Sequence, residues 1–241
     1  MPLLQPAHSE LPPNDVLRSI LSTRSIVHAD GTLSELHSET SGEECAAMYG
    51  FLKENPPEIV IEIGMAYGVF SLAALTALEE NNRGKLISID PNPAGFDHVM
   101  QSALLAIDKS GLSHRHTHLH MESELAMLKL VAEGVRPDFV YIDGHHGFDH
   151  AFVDMFFADK MLPVGGTIAF NDSQWRSVHR VIRYLLKHRH YKEIDVGLQK
   201  SFASANLINN AYKRSQNRFG PSRYFRKIDD STSPSNFYRN F

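Results

Sequence analysis

The fold is decided by residues 59–68, which read IVIEIGMAYG. The first five residues form an apolar run broken by one acid, Glu62, a pattern typical of a buried strand. The run then meets two glycines, Gly64 and Gly68, and an apolar pattern of helical spacing follows. A strand, a glycine loop and a helix can hold a nucleotide-like ligand against backbone amides. The spacing matches neither Gly-x-Gly-x-x-Gly nor a P-loop, so an ordinary tight turn is the alternative.

The alternation of strand and helix continues along the chain. Further apolar runs of strand length are separated by helical patterns, and several of them end on acids. These ends are Asp90, Asp143 and Asn171-Asp172. Repeated β-α units predict an α/β fold with a doubly wound, Rossmann-like sheet. In such sheets ligands bind beyond the carboxyl ends of the strands, which is where these side chains fall.

The pattern changes near the C-terminal end. Residues 191–198 and 224–228 are predicted to form two antiparallel strands, with a polar insertion at 200–223 between them. We therefore expect a seven-stranded sheet, mostly parallel, with an antiparallel last strand. Residues 1–40 are interpreted as an N-terminal arm and a short helix, within a single domain that spans 1–241.

Composition limits the class of protein. The net charge of -4 gives no general attraction to nucleic acid or to anionic membranes. The sequence has no apolar run of about eighteen residues, so no membrane span is predicted. Its single cysteine, Cys45, rules out an internal disulfide and fits a reducing compartment. We expect a cytoplasmic protein without nucleic-acid or membrane partners, and a homodimer is left open.

Three motifs together resemble the class I S-adenosylmethionine-dependent methyltransferases. The first is Glu62-x-Gly64-x-x-x-Gly68 followed by Asp90; the others are IDGHHGFD at 142–149 and PVGGTIAFND at 163–172. The last two are similar to the macrocin-type and catechol-type metal-dependent O-methyltransferases. The resemblance covers roughly residues 40–200. It implies an O-methyltransferase that methylates a hydroxyl of a small acceptor, such as a sugar or a phenolic natural product.

The resemblance also implies residue roles for the cofactor, S-adenosyl-L-methionine. The residues predicted to bind it are Glu62, Gly64, Tyr67, Gly68, Asp90, Ser123 and Asp143. Among these, Asp90 would accept hydrogen bonds from the ribose hydroxyls, an expectation that also follows from an acid at the end of a second strand. A helix N-cap is the alternative for Asp90, and Glu122 is the alternative to Ser123 near the adenine.

A divalent metal ion, Mg²⁺ or another cation, is predicted to bind Asp143, Asn171 and Asp172. The residues alone support this, because neighbouring strand ends bring the two carboxylates together. Oxygen ligands suit a hard cation, and adjacent carboxylates need a cation or a proton to relieve their repulsion. The alternative is that these side chains only cap a helix and form a turn.

His146 is predicted to accept the proton of the acceptor hydroxyl, with His145 as the second candidate. Histidine titrates near neutral pH, and both residues follow Asp143 closely. A structural histidine bonded to the backbone is the alternative. Aromatic side chains are expected to line the acceptor pocket; they are Tyr67, Phe148 and Trp175. A position in the core or at the rim is the alternative for Tyr67 and Trp175.

Two departures from the resembling family are visible. Phe70 occupies a position where a hydroxyl is common, and Phe148 replaces a tyrosine. Four alternating histidines, at positions 114, 116, 118 and 120, predict the exposed face of an edge strand. Two other functions stay open: an NAD-dependent Rossmann-type oxidoreductase, which the glycine spacing disfavours, and a non-catalytic binding protein that keeps the methyltransferase fold.

Overall fold

The computed structural model describes residues 10–36, 40–92, 95–198 and 221–230. Its helices are α1 Asp15–Thr23, α2 Gly42–Glu54, α3 Val69–Glu80, α4 Asp97–Lys109, α5 Ser123–Ala132, α6 Phe148–Met161 and α7 Arg176–His188. Its strands are β1 Ser25–Val27, β2 Leu33–Glu35, β3 Ile59–Ile63, β4 Lys85–Ile89, β5 His116–Leu119, β6 Phe139–Ile142, β7 Thr167–Phe170, β8 Tyr191–Ile194 and β9 Arg223–Lys227.

Seven strands form one sheet in the order β5-β4-β3-β6-β7-β9-β8. The pairings from β5 to β7 are parallel, whereas β9 runs antiparallel to both β7 and β8. The predicted fold is therefore confirmed, including the antiparallel last strand. Strands β1 and β2 form a separate antiparallel hairpin that was not predicted. Most of the insertion predicted at 200–223 lies outside the described residues, as do residues 1–9 of the predicted arm.

Both faces of the sheet are covered by helices. Side chains such as Val60, Leu86 and Phe139 pack with α2 and α3 on one face. Their neighbours in sequence point the other way, and residues such as Ile61 and Val140 pack with α5, α6 and α7. Burial on both faces explains why these strands read as continuous apolar runs. Within the described ranges, no helix combines the length and apolarity that crossing a bilayer requires.

The edge strand corrects one expectation. A short 3₁₀ turn, Ser113–Arg115, replaces the predicted start of the histidine strand, so β5 begins at His116. His114 and His120 are exposed, but His116 and His118 are partly buried. The expectation of an exposed histidine face was therefore wrong for these two. Strand periodicity shows which residues share a face, but it does not show whether that face is covered.

The loop after β3 is held by a close backbone approach. Gly64 has φ of 89°, and a Cβ atom at this position would lie 2.2 Å from the carbonyl oxygen of Asp143. The glycine is thus required by the packing of two loops, in addition to its left-handed conformation. Gly68 begins α3 with φ of 73°, and a Cβ there would lie 3.1 Å from Cβ of Ala103. The prediction explained both glycines by a ligand; the structure explains them by protein contacts.

We predict that Gly64→Ala destabilises the fold by about 2–4 kcal/mol, combining left-handed strain with overpacking against the backbone of Asp143. The measurement is the free energy of unfolding in denaturant. Gly31→Ala is the matched control, since Gly31 has φ of 84° and a Cβ added there would meet no atom within 4 Å. The control variant measures the cost of the left-handed conformation alone. If both variants lost the same free energy of unfolding, the added cost of packing against Asp143 would be contradicted.

Candidate active site

The acid at the end of β4 fixes the glycine loop. Asp90 Oδ2 accepts hydrogen bonds from the backbone amides of Met65 and Ala66, each at 2.9 Å. Its Oδ1 accepts one from the amide of Asn92 at 2.8 Å. A carboxylate bonded to three amides holds the loop in one conformation. The predicted ribose contact of Asp90 stays a prediction; the contacts present give this residue a role in shaping the loop.

Glu62 is a buried acid at the centre of the sheet. It is 0% exposed, and its Oε2 accepts hydrogen bonds from Ser71 Oγ at 2.6 Å and Ser88 Oγ at 2.5 Å. Its Oε1 has no hydrogen-bond partner among the described residues. Burial raises the pKa of Glu62 to about 8, although the two serine hydroxyls oppose that rise. The free oxygen is therefore suited to a proton or a cationic ligand group.

A cavity of about 500 Å³ lies at the carboxyl edge of the parallel strands. Seven of the predicted site residues line it: Glu62, Gly64, Tyr67, Asp143, His146, Asn171 and Asp172. Its wall also includes Glu44 of α2, which the sequence reasoning missed as a site residue. Ser41 and Glu44 form a capping box in the structure, and this Ser-x-x-Glu spacing in the sequence indicates the start of a helix without indicating a site.

Four predicted residues lie elsewhere. Gly68 is the N-cap of α3, and Asp90 binds the backbone of the glycine loop through the amide of Ala66. Ser123 borders a smaller cavity of about 180 Å³. His145 is exposed, and its Nδ1 accepts a hydrogen bond from the amide of Gly147 at 3.0 Å. His145 thus matches the structural alternative, a histidine that shapes a turn.

Three side chains at the ends of β6 and β7 form a compact cluster. His146 Nε2 lies 3.0 Å from Asp172 Oδ2 and 3.6 Å from Asp143 Oδ1. One potential ligand atom from each residue lies within 4.8 Å of the others. The Nε2 atom is buried, and it makes no well-directed hydrogen bond to any described residue. A buried nitrogen between two carboxylate oxygens is a donor set that a divalent cation can occupy.

The charges in this cluster shift its titration. The neighbouring carboxylates, Asp143 first and then Asp172, raise the pKa of His146 to about 9, although burial opposes this. Burial raises the pKa of Asp143, while His146 and Asn171 lower it. Without a bound cation, the imidazole therefore carries a proton at neutral pH. His146 can accept a proton from an acceptor only after losing that proton.

Asn171 holds the cluster together. Its Nδ2 donates a hydrogen bond to Asp143 Oδ2 at 3.0 Å, and its Oδ1 accepts from the amide of Asp172 at 2.8 Å. Ser222 Oγ also lies 3.2 Å from that oxygen. The amide oxygen of Asn171 is thus engaged away from the carboxylates. Its predicted role as a metal ligand stays a prediction, whereas His146 is the residue whose side-chain nitrogen lies between the two carboxylates.

The aromatic residues divide between the cavity and the core. Trp175 is 52% exposed, lines the cavity and lies with its ring 4.9 Å from that of His146. Phe148 stacks on Phe152 outside the cavity walls, so the expectation that it walls the acceptor pocket was wrong. Phe70 is buried and stacks on Tyr141 at 3.9 Å, which explains why this position holds an aromatic ring.

Comparison with known proteins agrees with the predicted fold. Residues 61–173 match a family described as a methyltransferase domain. A protein of Arabidopsis thaliana named for caffeoyl-CoA O-methyltransferase is 28% identical over 152 residues, which are 63% of this chain and 61% of that protein. The match thus spans less than two thirds of the plant relative.

Two solved structures share the fold at low sequence identity. The O-methyltransferase of Bacillus cereus, in complex with SAH, has a TM-score of 0.66 at 12% identity and covers 92% of this chain and 94% of its own. The SAH-bound methyltransferase PaMTH1 of Podospora anserina has a TM-score of 0.63 at 13% identity, with 89% and 88% covered. Residues 61–173 thus match a methyltransferase domain, and the solved structures show that the chain shares the fold of O-methyltransferases.

We predict that Glu62→Gln changes the pH dependence of folding stability. The unfolded chain releases the Glu62 proton near pH 4.5 and the folded chain near pH 8, so the folded state binds more protons between these values. The contribution of Glu62 to stability therefore falls as pH rises from 4.5 to 8. The glutamine variant has no titrating group at this position. Its free energy of unfolding should therefore rise relative to that of the native protein as pH increases from 4.5 to 8. Denaturant unfolding at several pH values measures the difference.

The matched control for that experiment is Glu35→Gln, which changes an exposed acid of β2. The free energy of unfolding of this variant should follow that of the native protein at every pH. A stability difference between Glu62→Gln and the native protein that stays constant across the window would refute the raised pKa of Glu62.

Proposed function

We propose that this chain transfers the methyl group of S-adenosylmethionine to a hydroxyl oxygen of a small acceptor, assisted by a divalent cation. The observation that carries the proposal is the shared cavity. Its wall includes Glu62, whose Oε1 has no hydrogen-bond partner among the described residues, and the Asp143–His146–Asp172 cluster. One cavity thus offers contacts for a cationic cofactor beside a site for a metal ion and an acceptor.

The cofactor side rests on charge and shape. S-adenosylmethionine supplies an electrophilic methyl group on a sulfonium sulfur and carries an amino group. Glu62 and the partly covered Asp143 are two acids of this part of the cavity, and a cationic group bound there would favour the ionised form of Glu62. The acceptor oxygen forms the new bond to the methyl carbon, the sulfur keeps the electron pair, and the hydroxyl proton passes to a base. Positioning of the two reactants supplies much of the rate.

The metal side rests on the donor set. Two carboxylates and an imidazole nitrogen converge, with the Nε2 of His146 buried and lacking a well-directed hydrogen bond within the described chain. These residues fit a divalent ion, which would lower the pKa of an acceptor hydroxyl when bound. Mg²⁺ prefers oxygen ligands, whereas Mn²⁺ also accepts an imidazole, so both ions are candidates.

Two roles compete for His146. The Nε2 that would accept a proton is the atom that faces both carboxylates, so it cannot serve as a base while it binds a cation. Its position between Asp143 and Asp172 favours the ligand role. The base role remains the alternative, and metal affinity in a His146 variant separates the two.

The acceptor is proposed to be a phenol rather than a sugar. Tyr67 and the half-exposed Trp175 line the cavity, and aromatic faces suit a flat aromatic acceptor. The plant relative is named for caffeoyl-CoA, which agrees with this class. An NAD-dependent oxidoreductase is not favoured, because the glycine loop has another spacing and the related proteins are methyltransferases.

We predict that the protein binds S-adenosylmethionine, and not NAD⁺, in calorimetric titrations. With a divalent cation it should then methylate a catechol-type phenol, detected by mass spectrometry as the addition of one methyl group. Asp143→Asn removes one of the two carboxylates of the proposed metal site, so this variant should not methylate the acceptor. Binding of NAD⁺ without binding of S-adenosylmethionine would overturn the proposed function.

We also predict that Asp143→Asn and Asp172→Asn weaken Mn²⁺ binding by about tenfold or more, because each removes a charged ligand. Asp149→Asn, which alters an exposed acid outside the cavity, should bind Mn²⁺ like the native protein. His146→Ala should also lose Mn²⁺ affinity. If that variant keeps native affinity but loses turnover, His146 is the base and not a ligand.

A further inference from the structure

A line of hydrogen-bonded polar side chains crosses the sheet from its edge to the cavity. His116 Nε2 on β5 lies 3.0 Å from Ser88 Oγ on β4, and Ser88 Oγ lies 2.5 Å from Glu62 Oε2 on β3. Ser71 Oγ of α3 reaches the same Glu62 oxygen at 2.6 Å. Both serines and Glu62 are 0% exposed. Polar groups cost free energy in such an interior unless they are bonded, so this chain needs an explanation beyond packing.

The direction of each hydrogen bond follows from the number of hydrogens available. The hydroxyl of Ser88 has one hydrogen, which it donates to Glu62 Oε2. It must then accept the hydrogen bond from His116, which places the hydrogen of the imidazole on Nε2. Burial lowers the pKa of His116 to about 4, so the ring is neutral and carries this one tautomer.

The two serine hydroxyls leave the oxygens of Glu62 unequal. Oε2 accepts both hydroxyl hydrogen bonds, whereas Oε1 is buried and has no partner in the part of the chain that the structure describes. Glu62 also lines the cavity. The two hydrogen bonds to Oε2 restrict rotation of the carboxyl group. Oε1 therefore has a fixed orientation before a ligand binds. Such preorganisation reduces the cost of binding.

We propose that His116 and Ser88 are positioning residues for the cofactor. Through Ser88, His116 fixes the orientation of Glu62 so that Oε1 can bind a compact cation, the amino group of the methionine moiety of S-adenosylmethionine. This inference rests on the proposed function. It assigns a role to a histidine of the edge strand that touches neither the cofactor cavity nor the metal cluster.

The surrounding residues argue against a purely structural role. The neighbours of Ser88 along β4 are apolar and buried, among them Leu86, Ile87 and Ile89. An apolar side chain at position 88 would pack in this layer without needing partners on two other strands. A structural role predicts a change in stability alone. The positioning role predicts a loss of affinity that is confined to ligands with an amino-acid portion.

The test compares two ligands by calorimetry: S-adenosylmethionine and methylthioadenosine, which keeps the adenosine but lacks the amino-acid portion. His116→Leu removes the donor, His116→Gln keeps an N–H near the Nε2 position, and Ser88→Ala interrupts the line. His120→Gln is the matched control, since His120 is an exposed histidine directly after β5. Thermal unfolding of each full-length variant shows whether it is folded.

Affinity for S-adenosylmethionine should fall about three- to tenfold in His116→Leu and Ser88→Ala, the range expected for one buried hydrogen bond. Affinity for methylthioadenosine should stay within about twofold. His116→Gln and His120→Gln should resemble the native protein. If Ser88→Ala fails to fold, the contrast between His116→Leu and His116→Gln decides.

Equal losses for both ligands, or no loss in His116→Leu, would overturn the positioning role while leaving the proposed function intact. A native protein that binds methylthioadenosine but not S-adenosylmethionine would overturn both. Failure of the native protein to bind either ligand counts against the proposed function itself, so the two failures are distinguishable.

Discussion

The close approach of two loops at the carboxyl edge of the sheet is the constraint on which the site depends. β3 and β6 are parallel neighbours, and the amide of Asp143 donates to the carbonyl of Ile63 at 2.8 Å. The chain therefore leaves both strands at the same place. Only a glycine at position 64 lets the loops touch, because a Cβ would meet the carbonyl oxygen of Asp143. This contact brings Glu62 and the Asp143–His146–Asp172 cluster into the lining of one cavity.

The fold was predictable because both sheet faces are buried. Burial on two sides forces continuous apolar runs, and the acids at the ends of those runs mark the edge where a parallel sheet binds ligands. The face of β5 was not predictable, since alternation reveals which residues share a face and nothing about what covers them. His116 is partly buried and bonded to a serine two strand positions away from its register partner, Leu86. That contact depends on the packing of three strands.

The sequence predicts which residues form the site better than it predicts the role of each residue. Sequence spacing brought Asp143, Asn171 and Asp172 together, and the structure places all three at the cavity. Spacing does not determine how an amide side chain is oriented or which imidazole nitrogen faces a carboxylate. Those details decide that Asn171 braces Asp143 while His146 stands between the acids. Phe148 shows the same limit, because its position after the motif does not reveal that it stacks on Phe152.

Charge balance explains how His146 and a metal ion relate. Asp143 and Asp172 lie close together and partly buried, so their repulsion must be relieved by a positive charge. In the metal-free protein the imidazolium of His146 supplies that charge, which is why its pKa rises to about 9. A divalent cation supplies more charge at the same place and needs the lone pair that the proton occupies. If a cation binds as proposed, it would therefore release the proton of His146, and the same nitrogen could not also take the proton of the acceptor. In the proposed reaction the proton of the acceptor would then pass to water or to another group in the cavity.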